Sequence, residues 1–218
     1  FEGLGQIYMR SAFEPEATYA VFLAGGKATQ HKHYDSGHFG IYKHGFQAIR
    51  RGTRDRTKNQ HMTEFYQRTI AHNTLLVKMP GERFPHHWGH VPKTNDGGQN
   101  DKTGAKVIAF QTNDAFTYIA ADLAGAYSGK KVDQVTRQFL FLHPNHFVII
   151  DRVAADDAAY PKTWLLHTMR QPRVTGKQFS ASWGDGVIFG KTLLPSDAKL
   201  ETIGGEGKRF FVDGRNFP

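Results

Sequence analysis

The stretch Gln138-Phe139-Leu140-Phe141-Leu142-His143-Pro144-Asn145-His146-Phe147-Val148-Ile149-Ile150 decides the fold. Two apolar runs, rich in aromatic and β-branched residues, flank the short turn His143-Pro144-Asn145. Such runs suit a pleated surface, and proline with asparagine punctuates them, so the stretch reads as a β-hairpin. The pattern recurs outward in both directions. Val107 to Phe110 and Phe116 to Ile119 flank Asn113-Asp114, and Phe39 to Tyr42 and Phe46 to Ile49 flank Lys43-His44-Gly45. Tyr19 to Leu23, Thr74 to Val77, Trp164 to Leu166, Gly186 to Phe189, Lys199 to Ile203 and Phe210 to Val212 are further short runs of strand character. No amphipathic helix of about 12 residues or more is legible. Many short strands with turn signals between them predict an all-β fold, a large antiparallel β-sandwich forming one domain over residues 1–218. Arg54 to Gln67 has room for a helical turn, but its charge predicts a loop. Pro80 to Thr103, rich in Gly, Pro, His and Asn, predicts a long surface loop. From about Ala105 onward the chain carries few residues of catalytic character and reads as scaffold.

Composition removes several function classes. There is no cysteine among the 218 residues, which excludes disulfides, zinc–thiolate sites and thiol nucleophiles together. No apolar run approaches the ~20 residues needed to span a bilayer. The chain opens on Phe1 without a signal-peptide pattern, which fits a mature chain or an excised domain. No Gly-x-Ser-x-Gly elbow and no convincing phosphate loop is present. With 28 Lys+Arg against 20 Asp+Glu the net charge is +8. That charge serves solubility or attraction to a polyanion. Its distribution favours the second: Lys43, Arg50, Arg51, Arg54, Arg56, Lys58 and Arg68 fall in the same region as nine of the 12 histidines, His31 to His90. No nucleic-acid-binding motif accompanies them.

Two segments concentrate the chemistry. The first is His31-Lys32-His33-Tyr34-Asp35-Ser36-Gly37-His38-Phe39-Gly40. In an extended chain His31, His33 and Asp35 would share one face. The second is Arg68-Thr69-Ile70-Ala71-His72-Asn73-Thr74, entering a strand. Imidazoles separated in sequence suit zinc when a carboxylate or water completes the shell. They equally suit a metal-free acid–base site, or polar strand ends without a ligand. Spacing alone leaves all three open.

Together these two segments resemble the heparinase II/III-like polysaccharide lyases, and within them the heparinase II group most. The likeness extends to Gly3 through Ser11, Trp164 through Thr168 and Val212 through Asn216, and so covers nearly the whole chain. The resemblance implies the C-terminal sandwich of such a lyase, with an N-terminal α/α toroid of the same protein on the other side of the substrate cleft. It implies β-elimination of uronic-acid glycosaminoglycans of the heparin and heparan sulfate kind, a periplasmic or secreted location, and the option of a homodimer. By the same resemblance His31 matches the cleft histidine implicated in catalysis, and His33 and His72 match two ligands of a Zn2+ of structural character. Arg50 stands where the family's aspartate ligand is expected, and an arginine cannot ligate zinc. Asp55 or Asp35 could substitute, or Arg50 could itself replace the cation's charge. Arg50, Arg51, Arg54 and Arg68 are the expected substrate-binding cations. Tyr34 and Tyr66 are expected to pack, and His86, His87 and His90 to be loop residues. The alternatives are a non-catalytic acidic-glycan-binding or structural sandwich, an alginate-type or other uronate lyase of the same family, and a metal-dependent hydrolase.

Overall fold

The computed structural model describes residues 1, 4–27, 31–54, 59–86 and 90–218. Asp55, Arg56, Lys58 and His87, named above, lie outside the described residues. Strands β1 (Gln6–Arg10), β2 (Tyr19–Leu23), β3 (Phe39–Tyr42) and β4 (Phe46–Ala48) form one antiparallel sheet in that order. β5 (Leu75–Val77) follows. Then β6 (Lys106–Thr112), β7 (Phe116–Asp122), β8 (Val132–Leu142) and β9 (His146–Ala155) form a second four-stranded sheet. β10 (Lys162–Trp164) returns to pair with β5, and β11 (Arg173–Thr175), β12 (Gln178–Trp183) and β13 (Gly186–Lys191) make a three-stranded sheet. β14 (Phe211–Val212) and β15 (Arg215–Asn216) close the chain as a small hairpin. The fold is all-β, as the alternation of apolar residues predicts.

The core lies between the two four-stranded sheets. Met9, Ala20, Phe22, Phe39, Ile41 and Ala48 of the first sheet face Ile119, Ala121, Val135, Phe139 and Phe141 of the second. Phe139 centres an aromatic cluster, 5.5 Å from Phe22, 5.6 Å from Phe39 and 5.6 Å from Phe147 between ring centroids. Burying rings of this size supplies much of the driving force that holds the sheets together.

Three expectations need correction. Lys199 to Ile203 is not a strand, and no strand among the described residues pairs with it. Arg54 to Gln67 contains a buried π-helical turn, His61–Tyr66, in which the Gln67 N–H donates to the Met62 carbonyl five residues back, at 3.2 Å. The described residues of Pro80 to Thr103 are irregular, but they do not form a surface loop throughout. Glu82, Phe84, Thr94, Asp96 and Gln99 are buried. Lys131, itself fully buried, donates to the Glu82 carboxylate at 2.7 Å and to the Gly98 carbonyl at 2.7 Å, and so ties that segment to the second sheet. The Glu64 carboxylate accepts from the Thr94 N–H at 3.0 Å and the Thr94 hydroxyl at 2.8 Å. Polar side chains from distant parts of the chain replace the apolar contacts that this segment lacks.

Candidate functional site

The His31 to His38 segment is not an extended strand. His31 is exposed with a positive φ of 66°, and a turn closes where the His38 N–H donates to the Asp35 carbonyl at 2.9 Å. The three side chains therefore do not share a face. His31 stays at the surface, His33 turns inward, and Asp35 is half-buried. At the surface, Arg54 Nη1 donates to His31 Nδ1 at 2.9 Å. That bond places the imidazole proton on Nε2.

Inside, His33 and His72 meet. His72 Nδ1 donates to the Arg68 carbonyl at 2.8 Å, which leaves the lone pair on its Nε2, and His33 Nδ1 lies 3.2 Å from that atom. Tyr66 packs edge-on against His33 at 4.6 Å, and His38 packs edge-on against His72 at 5.4 Å. His38 is committed elsewhere: its Nδ1 accepts the Asn73 N–H at 3.0 Å. Asn73 extends the network. Its Nδ2 donates to the Phe39 carbonyl at 2.8 Å, and its Oδ1 accepts the His167 N–H at 2.7 Å. Burial, helped by the neighbouring cations and imidazoles, pushes His38 down to about 3 and His72 well below the ordinary value. His167 is pushed down to about 4 by burial and Arg51. His38, His72 and His167 are therefore neutral at physiological pH.

Among the described residues, which leave out Asp55, the donor set does not close a zinc shell. Two imidazoles converge, but among the described residues no group of three or more His, Cys, Asp or Glu side chains could hold a metal ion. Arg50, the residue after β4 and Ile49, instead lays its guanidinium 5.6 Å from the Tyr66 ring centroid, beside His33. A direct hydrogen bond from His33 Nδ1–H to His72 Nε2 satisfies the two converging nitrogens without a cation.

The four arginines of the expected binding set separate. Arg50 and Arg54 are exposed. Arg51 is half-buried and donates to the Thr168 carbonyl at 3.2 Å. Arg68 departs most from a cleft role. It is 2 % exposed, pairs with Asp96 at 2.8 Å, and lies 3.7 Å from the Phe84 ring centroid and 4.8 Å from that of Tyr34. Its place is structural, since a carboxylate within reach and aromatic faces are what a desolvated guanidinium requires. Tyr34 and Tyr66 are buried packing residues, and His86 and His90 are exposed.

Arg137, on β8, was not singled out by its sequence context, yet it supports both motif segments. It is fully buried and forks onto Asp151, at 2.8 Å and 2.9 Å, while its Nη1 donates to the Gly37 carbonyl at 2.6 Å and the Asn73 carbonyl at 2.8 Å. The signal was present in Val135-x-Arg137-x-Phe139-x-Phe141, where the period of two puts the arginine on the apolar face.

The surface part of the site opens into a groove of about 660 Å³ along the outer face of the first sheet. His31, Lys32, Asp35 and Arg50 line it together with side chains of β1 to β4. Burial raises the Asp35 carboxyl to about 6 against the pull of Lys32, Arg50 and Lys102. Burial lowers Lys102 to about 8. Among the described residues no helix is long and apolar enough to cross a membrane.

No protein-family model and no curated protein of similar sequence matches the chain. Solved structures do. A heparan sulfate lyase, HepC from Pedobacter heparinus, superposes with a TM-score of 0.68 at 19% identity, covering 90% of this chain and 28% of that one. A heparinase III structure gives 0.64 at 18% identity, covering 85% of this chain and 27% of its own. The chain thus spans little more than a quarter of the length of these neighbours. In fold, it is similar to one β-sandwich portion of the heparan sulfate lyases.

Proposed function

We propose that this chain is the β-sandwich portion of a polysaccharide lyase that cleaves uronic-acid glycosaminoglycans, of the heparin or heparan sulfate kind, by β-elimination. A second, toroidal domain of the same protein would face it across the cleft, in keeping with the fraction of the neighbours' length that the chain spans. The His31 and His72 motifs favour a heparinase II-like specificity within that class. Such polymers are met in the periplasm or outside the cell, and we place the protein there.

One observation carries the reading: His31 lies at the rim of a groove that also holds Lys32 and Arg50, with Arg54 on its Nδ1. In β-elimination a base removes the proton on C5 of the uronate. The C–H electron pair becomes the C4–C5 double bond, the C4–O4 bond breaks, and O4 takes up a proton. The C5 proton is weakly acidic until the adjacent carboxylate is neutralised, so cations and hydrogen-bond donors around that carboxylate lower the barrier. With Arg54 on Nδ1, His31 presents its Nε2–H to the sugar, as a hydrogen-bond donor that helps neutralise the uronate carboxylate, and the C5 proton goes to a base supplied elsewhere in the cleft. Arg50 and Arg54 supply positive charge at the rim, and Arg51 lies behind them.

The test follows the ultraviolet absorbance of the conjugated, unsaturated uronate as the complete protein acts on heparan sulfate. His31→Ala is expected to lower kcat by about 10²- to 10⁴-fold while substrate affinity changes little. Unchanged turnover would remove His31 from the mechanism. The 218-residue chain alone is expected to turn over little, and full activity from it would remove the need for a toroid.

A further inference from the structure

A single row of side chains crosses the outer face of the first sheet. Arg10 on β1 is in register with Tyr19 on β2, Tyr19 with Tyr42 on β3, and Tyr42 with Phe46 on β4. Each touches the next. The Arg10 guanidinium lies 4.7 Å from the Tyr19 ring centroid, Tyr19 is edge-on to Tyr42 at 6.2 Å, and Tyr42 is edge-on to Phe46 at 5.4 Å. The rings remain open to solvent: Tyr19 is 38% exposed, Tyr42 41% and Phe46 53%. Across four strands the row runs for about three strand spacings, ~14 Å, which is longer than one sugar ring. Nothing in the sandwich core needs these rings, because the inward-facing residues of the same strands already fill it.

The row is continuous with the candidate site. Tyr8, Tyr19, Tyr42 and Phe46 line the same groove as His31, Lys32 and Arg50. Gly40, two residues before Tyr42 on β3, keeps the floor low between them, since a Cβ there would stand 3.1 Å from Val21 Cγ1. Charge along the groove is one-sided. Lys27, Lys32 and Arg50 line it, and Asp35 is the one carboxylate among the described lining residues. A trough lined by exposed aromatic rings and by cations matches a polymer whose units have apolar C–H faces and acidic substituents. An apolar protein partner would leave those cations buried and unpaired.

Resting on the lyase reading above, we propose that the Arg10–Tyr19–Tyr42–Phe46 row is a sugar-stacking subsite that holds the acidic polysaccharide away from the bond being cleaved. The rings stack on sugar units beyond the reacting uronate, and Lys27, Lys32 and Arg50 hold the carboxylate or sulfate groups of the units nearer His31. The subsite contributes affinity and register, and it does not take part in proton transfer.

The experiment titrates the 218-residue chain with a size-defined heparan sulfate hexasaccharide by calorimetry, with a neutral maltohexaose as the control glycan. The parent is expected to bind the acidic hexasaccharide and not the neutral one. The double variant Tyr19→Ala/Tyr42→Ala is expected to weaken binding about tenfold or more, because exposed aromatic anchors dominate such contacts. Tyr42→Phe, which keeps the ring, should bind as the parent does. His31→Ala should leave affinity within about twofold, as a residue of the reacting unit alone would. Circular dichroism of each variant separates lost binding from lost fold, and Phe46→Ala provides a second reading if the double variant unfolds. Equal affinity for parent and ring-deleted variants would overturn the proposal, and so would failure of the parent to bind, or equal binding of maltohexaose. A row buried under another domain would show in the complete protein, where ring deletion would leave KM unchanged, and that result too would overturn the proposal. The lyase reading fails separately: if His31→Ala leaves turnover of the complete protein intact while ring deletion still costs affinity, the subsite stands and the reaction assignment falls. In the complete protein, ring deletion should raise KM with kcat little changed.

Discussion

Arg50 and Arg68 show how little a residue's type says about its role until its surroundings are known. Both are arginines within 40 residues of His31 in a basic stretch. Arg50 lies exposed against Tyr66, the ring that packs on His33, and Arg68 is sealed between Tyr34 and Phe84 with Asp96. Arg50→Asp would set a carboxylate beside two imidazoles. It is expected to raise bound zinc, measured by elemental analysis after dialysis, from well below one to about one ion per chain. A parent protein already carrying one zinc would show that a donor outside the described residues completes the shell. Arg68→Met is expected to cost on the order of 3–5 kcal/mol in denaturant unfolding, because it strands Asp96 as an unpaired buried charge. Loss of glycan affinity with unchanged stability would return Arg68 to the cleft. The histidine pair was legible in the sequence through its motif. The fate of Arg68 was not, because its partners, Phe84 and Asp96, come from a segment without periodicity.

At the scale of elements, the hairpins announced themselves. The run from Gln138 to Ile150 is the β8–β9 hairpin, and Phe39 to Ile49 is β3–β4, because one buried face forces the alternation that sequence shows directly. The π-helical turn at His61–Tyr66 was hidden for the opposite reason. Its residues are buried on all sides, including Glu64, so no amphipathic stripe marks it. A second element-level feature concerns two turns. The β3–β4 turn meets the β12–β13 turn backbone to backbone, with the Asp185 N–H donating to the His44 carbonyl at 3.0 Å and Gln47 Nε2 to the Trp183 carbonyl at 3.2 Å. Gly45 allows the approach: its φ is +139°, and a Cβ there would stand 2.2 Å from the Trp183 carbonyl oxygen. Gly45→Ala is therefore expected to push the turns apart at a cost of about 1–3 kcal/mol. Amide exchange should speed in β12 and β13 while β6 to β9 keep their protection. Uniform exchange across both sheets would show that the contact does not couple the two elements.

The whole molecule carries its buried imidazoles as a liability in acid. His38 sits at about 3 in the folded chain against an ordinary 6.5. The unfolded chain therefore takes up a proton first as pH falls, and stability drops between about 6.5 and about 3. His72 and His167 act in the same direction. Asp35, raised to about 6, opposes them, since the folded chain binds its proton before the unfolded one does. Three imidazoles outweigh one carboxyl. From pH 7 to pH 5 the loss from His38 alone is on the order of 2 kcal/mol. The denaturation midpoint should be lower at pH 5 than at pH 7, and a flat profile would mean that these rings are hydrated in the native state.

Arg137 has a further consequence, in the order of events during folding. Its bonds to the Gly37 and Asn73 carbonyls join residues 100 and 64 positions apart, and His61 Nδ1 donates to the Phe217 carbonyl across 156 positions. Contacts of such separation form slowly, because a long loop must close before they return any energy. On a ribosome, the segment bearing His31, His33 and His72 emerges well before Arg137 does, and the brace at Phe217 comes later still. A nascent chain would hold all the chemistry of the site long before it held the site.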